Sequence, residues 1–314
     1  VSELLRKIDA RTKLAGTNKL EILLFTLGTD QRTGRRENFG INVFKVREVM
    51  RTPEITHAPE MPACVEGMVS LRGSLVPVVD LAKYTGINTD ARPEIMIVTE
   101  YNGHTQGFLV EAVDTILRLD WSQMRVPPDM LTAQMGGIIT AVTELDNGKL
   151  VMMMDVEKVL AETSNYDDQM IFQNIKPLDK PRTVYFADDS SVARKQISTT
   201  LDMMGVRYFS AINGKKAWDE LDKMASLAEA NGELMKDVVN LILTDVEMPE
   251  MDGYMLTKNI KSDPRFKGIP VLMHSSLSGM QNQKLGQSVG VDEYVAKFEP
   301  QRLAETLTRL LATQ

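Results

Sequence analysis

The chain has 314 residues, which suits two domains of ordinary size, and its 43% hydrophobic and 25% charged residues are the balance of a soluble globular protein. A net charge of −7 with no block of basic residues argues against a sequence-independent nucleic-acid surface. No apolar run approaches the ~18–20 residues of a membrane span, and Cys64, the single cysteine, excludes a disulfide framework, so a cytosolic chain is expected.

The opening stretch VSELLRKIDARTKL has the pattern of an amphipathic helix over residues 3–14. It has neither the central apolar run nor the small-residue cleavage site of a signal peptide. Short strand-like runs follow: LEILLFTL (20–27), FGINVFKV (39–46), MVSLRGSLVPVVD (68–80), EIMIVTEY (94–101), TQGFLV (105–110), GIITAVTEL (137–145) and KLVMMMD (149–155). Asn102-Gly103 and Asn147-Gly148 are hairpin signals, and Arg72-Gly73 suits a bulge or an exposed turn between two strands. Many short strands with few helices predict an all-β domain, barrel-like or a sandwich. Asp155 is placed to cap a short helix, VEKVLAET. His57 and His104 sit in no ligand spacing, and no catalytic constellation is found, so this half reads as a binding module. Residues 164–181, with weak periodicity and two prolines, read as a linker.

From Thr183 the pattern changes. TVYFA is a continuous apolar strand, and a helix capped by Ser190 or Ser191 carries Ala193, Ile197, Leu201 and Met204 on one face and ends at Gly205. VRYFSA, VVNLILT, PVLMHSS and EYVA are further strands; GKKAWDELDKMASLAEA and PQRLAETLTRLLA are helices. Apolar strands alternating with helices predict a parallel, doubly wound sheet covered on both faces.

Ligands of such sheets bind at the carboxyl ends of the strands. Those ends hold Asp188-Asp189, Asp245, Ser275-Ser276 and Lys297. Three carboxylates gathered there repel one another and need a cation, and oxygen ligands without His or Cys point to Mg²⁺. Such a site can accept a phosphoryl group, because that chemistry needs little beyond positioning and charge neutralisation.

The motifs VYFADDS, LILTDVEMPEMDG, PVLMHSS and EYVAKF resemble the response-regulator receiver family over residues 183–312. The resemblance implies a five-stranded, flavodoxin-like fold with Asp245 as phosphoacceptor. It implies Asp188, Asp189, Asp245 and the Glu247 backbone carbonyl around Mg²⁺, Lys297 on the phosphoryl group, and Ser275 and Tyr294 as switch residues. Phe298 stands where the family usually has proline, Ser226–Asp237 lengthens the region before the third strand, and Glu247 and Leu277 occupy positions that tune phosphoryl lifetime.

FGINVFKVREVM, ITHAPEMPACVEGMVSLRGSLVPVVDL and EYNGHTQGFLVEAVDTILRL resemble the CheW-like scaffold family over Lys19–Thr163. That resemblance implies two five-stranded β-barrel subdomains. It also implies docking on the regulatory domain of the histidine kinase CheA, which would be the phosphodonor too, and on the cytoplasmic tips of chemoreceptors. Leu71, Arg72, Gly73, Val43, Val46 and Val49 are the contact candidates. The expected domains are an N-terminal helix (1–18), a coupling domain (19–163), a linker (164–181) and a receiver (182–314). Together they resemble CheV-type chemotaxis coupling proteins: cytoplasmic, bound to membrane-embedded receptor arrays without inserting, with no turnover activity. The alternative is a phosphate sink that drains the kinase.

Overall fold

The structure is a computed structural model that describes residues 19–101, 104–128, 137–163, 172, 174–275, 286–297 and 299–312. The opening helix, the Asn102-Gly103 turn, much of the expected linker, Ser276, Leu277 and Phe298 lie outside the described residues. The remainder forms two compact units, one on each side of residue 165.

Among the described residues the first unit contains ten strands: β1 (Lys19–Thr26), β2 (Asn38–Asn42), β3 (Val46–Arg51), β4 (Val65–Leu71), β5 (Ser74–Asp80), β6 (Ile95–Tyr101), β7 (His104–Val110), β8 (Ala112–Asp120), β9 (Ile139–Glu144) and β10 (Leu150–Met154). They form two five-stranded sheets, ordered β8-β1-β2-β10-β9 and β3-β6-β7-β5-β4. Isolated bridges between Arg125 and Val142 and between Thr56 and Met68 link the two edges of each sheet, curling each toward a barrel. Strand β1 shows how the barrels pack. Leu20, Ile22 and Leu24 face the interior of their own barrel with Trp121, Val151 and Met153. Leu23 and Phe25 point the other way, into a core shared with Val79, Ile97 and Phe108 of the second barrel. The period-two alternation of a strand is buried on both faces here, which is why β1 reads as one apolar run.

The stretch 39–46 is not the single strand expected. The Asn42 side chain accepts from the Phe44 amide at 3.1 Å and starts a 3-10 turn at Val43–Lys45. That turn carries the chain from the first sheet (β2) into the second (β3). A short helix, α1 (Leu81–Thr85), and the strand β8 were not anticipated. Helix α2 (Val156–Thr163) was, and the Asp155 side chain accepts the Glu157 and Lys158 amides at 3.1 Å each.

The second unit is a parallel sheet of β11 (Thr183–Ala187), β12 (Arg207–Ala211), β13 (Leu241–Thr244), β14 (Val271–Ser275) and β15 (Glu293–Ala296), ordered β12-β11-β13-β14-β15. Among the described residues its helices are α3 (Ser191–Met203), α4 (Gly214–Ala230), α5 (Met235–Val238), α6 (Gly253–Ser262) and α7 (Pro300–Ala312). Helix α6 was not read from the sequence. Ser190 caps α3, and Gly205 leaves it with φ +66°. Tyr185, Ile242 and Val271 pack under α4 and α6, while Val184, Phe186, Leu243 and Leu272 pack under α3 and α7. Ile175 and Leu178 lie against this second core. The Ser226–Asp237 extension completes α4 and begins α5; Met235 seats it in the core, while Leu227 and Leu234 face outward.

Candidate phosphoryl-accepting crevice

Each acidic side chain follows directly from the end of a buried strand. Asp188 comes one residue after β11, and its carboxylate accepts the Ser190 amide at 2.9 Å. The Asp245 amide donates to the Ala187 carbonyl at 2.8 Å, so the ends of β11 and β13 are tied side by side. Asp245 Oδ1 accepts the Val246 amide at 2.6 Å. Carboxylate oxygens of Asp188, Asp189 and Asp245 all lie within 4.8 Å of one another.

Lys297 enters from the end of β15, where its amide donates to the Ser275 carbonyl at 2.9 Å. Its ammonium nitrogen lies 2.9 Å from Asp188 Oδ2 and 2.9 Å from Asp245 Oδ2. The lysine is 1% exposed. A buried ammonium is tolerated only against matched negative charge, and here two carboxylates supply it. Ser275, at the end of β14, is buried and hydrogen-bonds the Tyr294 phenol. Burial pushes the Tyr294 hydroxyl well above the usual phenol range, against the pull of that hydrogen bond, so it stays protonated. The sequence-predicted Asp188, Asp189, Asp245 and Lys297 therefore share one crevice, with Ser275 and Tyr294 as a hydrogen-bonded pair on the neighbouring strands. Glu247 is 8% exposed on the loop after Asp245.

Two positioning features were missed. Arg194, in the first turns of α3, donates from one guanidinium nitrogen to the carbonyls of Asp188 at 2.8 Å and Asp189 at 2.9 Å. A cation near a helix N-terminus opposes the helix dipole, and that mismatch is the signal the sequence offered. Gly253 begins α6, and a Cβ there would lie 1.9 Å from the Asp245 carbonyl oxygen. Only glycine lets the loop after Asp245 fold back so closely.

In the first unit Leu71, Arg72 and Gly73 form the tip of the β4–β5 hairpin, with Leu71 paired to Ser74. Arg72 and Gly73 have φ of +50° and +85°, as a two-residue hairpin turn requires. The Arg72 guanidinium is exposed and donates to Glu48 of β3 at 2.9 Å. Val43, Val46 and Val49 are corrected: at 1%, 1% and 6% exposure they belong to the shared core and offer no contact surface. Their β-branched apolar side chains fill the junction where the chain passes between barrels. His57 is exposed, and its Nδ1 lies 2.7 Å from the Glu66 carbonyl. Cys64 packs at the margin of the shared core, and burial raises its thiol pKa.

Comparison with known proteins places both units. Residues 21–164 match the CheW-like domain, and residues 184–308 match the response regulator receiver domain. The class of protein is thus an adaptor module joined to a phosphorylatable receiver. The chain is 32% identical to the chemotaxis protein CheV3 of Helicobacter pylori over 282 residues, covering 87% of this chain and 88% of that one. It is 28% identical to CheV1 of the same organism over 335 residues, covering 99% of both. Its receiver is 37% identical to CheY1 of Helicobacter pylori over 128 residues, 40% of this chain and 94% of that one. The chain belongs to the CheV family of chemotaxis proteins. It is a chemotaxis signalling adaptor with a phosphorylatable receiver domain, a regulatory protein that works with the chemotaxis kinase and receptors. Among the described residues no helix is long and apolar enough to cross a membrane.

Proposed function

We propose that the chain couples chemoreceptor tips to the regulatory domain of the histidine kinase CheA, and that phosphorylation of Asp245 by that kinase adjusts the coupling. The observation that carries this reading is the Lys297 ammonium held 2.9 Å from both Asp188 and Asp245, in a chain whose other unit is CheW-like. In the transfer, the N–P bond of the kinase phosphohistidine breaks as a P–O bond to the Asp245 carboxylate forms, and the imidazole nitrogen leaves with the electron pair. Lys297 then faces the phosphoryl oxygens, and the Ser275 hydroxyl turns toward them. Phosphorylation adds roughly 1.5–2 negative charges to the crevice, enough to shift a two-state arrangement of the loops around it.

The donor set fits a hard divalent cation: three carboxylates with oxygens within 4.8 Å of one another, and no nitrogen or sulfur ligand among them. Asp188, Asp189, Asp245 and the Glu247 carbonyl would hold Mg²⁺, which neutralises charge on the incoming phosphoryl group. Arg194 steadies the backbone under two of those residues. The protein acts as a stoichiometric acceptor without a turnover reaction of its own, at membrane-embedded receptor arrays reached through its partners. Leu71, Arg72 and Gly73 at the hairpin tip are the contact residues of this reading.

The test is label transfer from phosphorylated CheA, with Mg²⁺, to the wild-type chain and to Asp245→Asn, with receptor and kinase binding measured in the same samples. Transfer to the wild type alone, accompanied by altered binding, is expected. Transfer with unaltered binding would leave a phosphate sink, and equal labelling of Asp245→Asn would move the acceptor elsewhere.

A further inference from the structure

The loop after Asp245 and the first turn of α6 enclose a small apolar cluster of Val246, Tyr254 and Met273, against which Val289, Val291 and Tyr294 pack. Tyr254 is chemically out of place there. It is 3% exposed, and its hydroxyl oxygen is buried with no hydrogen-bond partner among the described residues. A leucine or methionine would fill the same space without leaving a polar atom stranded. Buried hydroxyls are nearly always paired, and an exception asks for an explanation. The neighbouring Tyr294 hydroxyl, by contrast, is engaged with Ser275.

We propose that Tyr254 is the waiting half of a phenol pair, which forms with the partly buried Tyr294 when Asp245 is phosphorylated. The proposal rests on the reading above, in which Ser275 turns toward the phosphoryl group. That turn takes a hydrogen bond away from Tyr294, which packs partly buried against the apolar cluster. The Tyr254 hydroxyl offers both a proton and lone pairs in the same cluster. One phenol then donates to the other, and the buried Tyr254 hydroxyl gains a partner. Among the described residues the resting state leaves the buried Tyr254 hydroxyl unpaired, and the phosphorylated state pairs it. Tyr254 thus favours the phosphorylated arrangement without touching the phosphoryl group, as a positioning residue. Burial, and then the nearby Tyr294, Glu247, Asp252 and Asp245, raise its pKa, so both phenols keep their protons at neutral pH.

The experiment titrates the full-length chain with beryllofluoride, a phosphoryl stand-in, in the presence of Mg²⁺, for wild type, Tyr254→Phe, Tyr294→Phe and the double variant. Thermal midpoints of the resting proteins are measured alongside. Tyr254→Phe is expected to weaken beryllofluoride binding about five- to tenfold, the worth of one buried hydrogen bond. It should leave the resting midpoint unchanged or raised, because the stranded hydroxyl is gone. In the Tyr294→Phe background the second substitution should add nothing. Unchanged affinity in Tyr254→Phe, or losses that simply add in the double variant, would overturn the pair. A lowered resting midpoint with unchanged affinity would mark Tyr254 as core filling only. Failure of the phosphoacceptor reading looks different: the wild type would not bind beryllofluoride, or Asp245→Asn would bind it as tightly, and the pair would fall with it.

Discussion

Lys297 holds together the part of the receiver that would otherwise fly apart. Its ammonium sits 2.9 Å from a carboxylate oxygen of Asp188 and of Asp245, with both acids buried. Removing one partner from such an arrangement leaves uncompensated charge, at a cost of about 3–5 kcal/mol. Lys297→Met should therefore lower the receiver's unfolding free energy, read from urea titration, by that much without metal, and added Mg²⁺ should restore part of it. A variant as stable as wild type in chelator would mean that the carboxylates do not depend on the lysine. These residues were legible in the sequence because each one closes an apolar strand, and a doubly wound sheet brings strand ends together. Arg194 and Tyr254 were not read from the sequence. Arg194 acts through backbone carbonyls, and a cation set against the helix dipole was the one signal it left. Tyr254 looks like any core aromatic until its hydroxyl is followed. The valines failed in the opposite way, since an apolar residue on a strand reads the same whether it faces a partner or a core.

At the scale of elements, the second barrel depends on a bulge. The register of β4 against β5 shifts between Val65 and Gly67, and Gly67 has φ +136°. A Cβ there would lie 2.1 Å from the Thr56 carbonyl oxygen, at the bridge that links the sheet's two edges. Gly67→Ala should destabilise the first unit by about 1–3 kcal/mol or more through backbone strain and displacement of that bridge. Thermal melts followed by near-UV dichroism would read the loss, and labelling of the receiver should be unchanged. Labelling that fell in step with the melt would contradict this. Most strands were legible from β-branched, apolar runs separated by turn residues. The break at Asn42 was hidden because Val43, Phe44 and Val46 extend the apolar, strand-forming run through a 3-10 turn. Helix α6 was hidden because the GYMLTKNIKS stretch follows directly on the acidic loop, and its cap, Asp252, was read as part of that motif.

For the whole molecule, the cores are divided by sequence. The three clusters of the first unit draw only on residues between Leu20 and Leu160. Among them Val159 and Leu160 come from α2, just before the boundary near residue 165. The three clusters of the receiver draw on residues from Ile175 to Leu311. Calorimetry should therefore resolve two transitions, and Mg²⁺ should raise only the one that belongs to the receiver. A single transition that moves as a whole would show that the units unfold together. The two-part plan was legible early, because alternating strands and helices replace plain strands at Thr183. The hairpin tip of the first unit carries a different lesson. Arg72 occupies a left-handed backbone position that asparagine or glycine would fill with less strain. A library ranked on heat resistance alone would therefore tend to trade this arginine away, and the best survivors would keep the barrel while losing the cation at its tip.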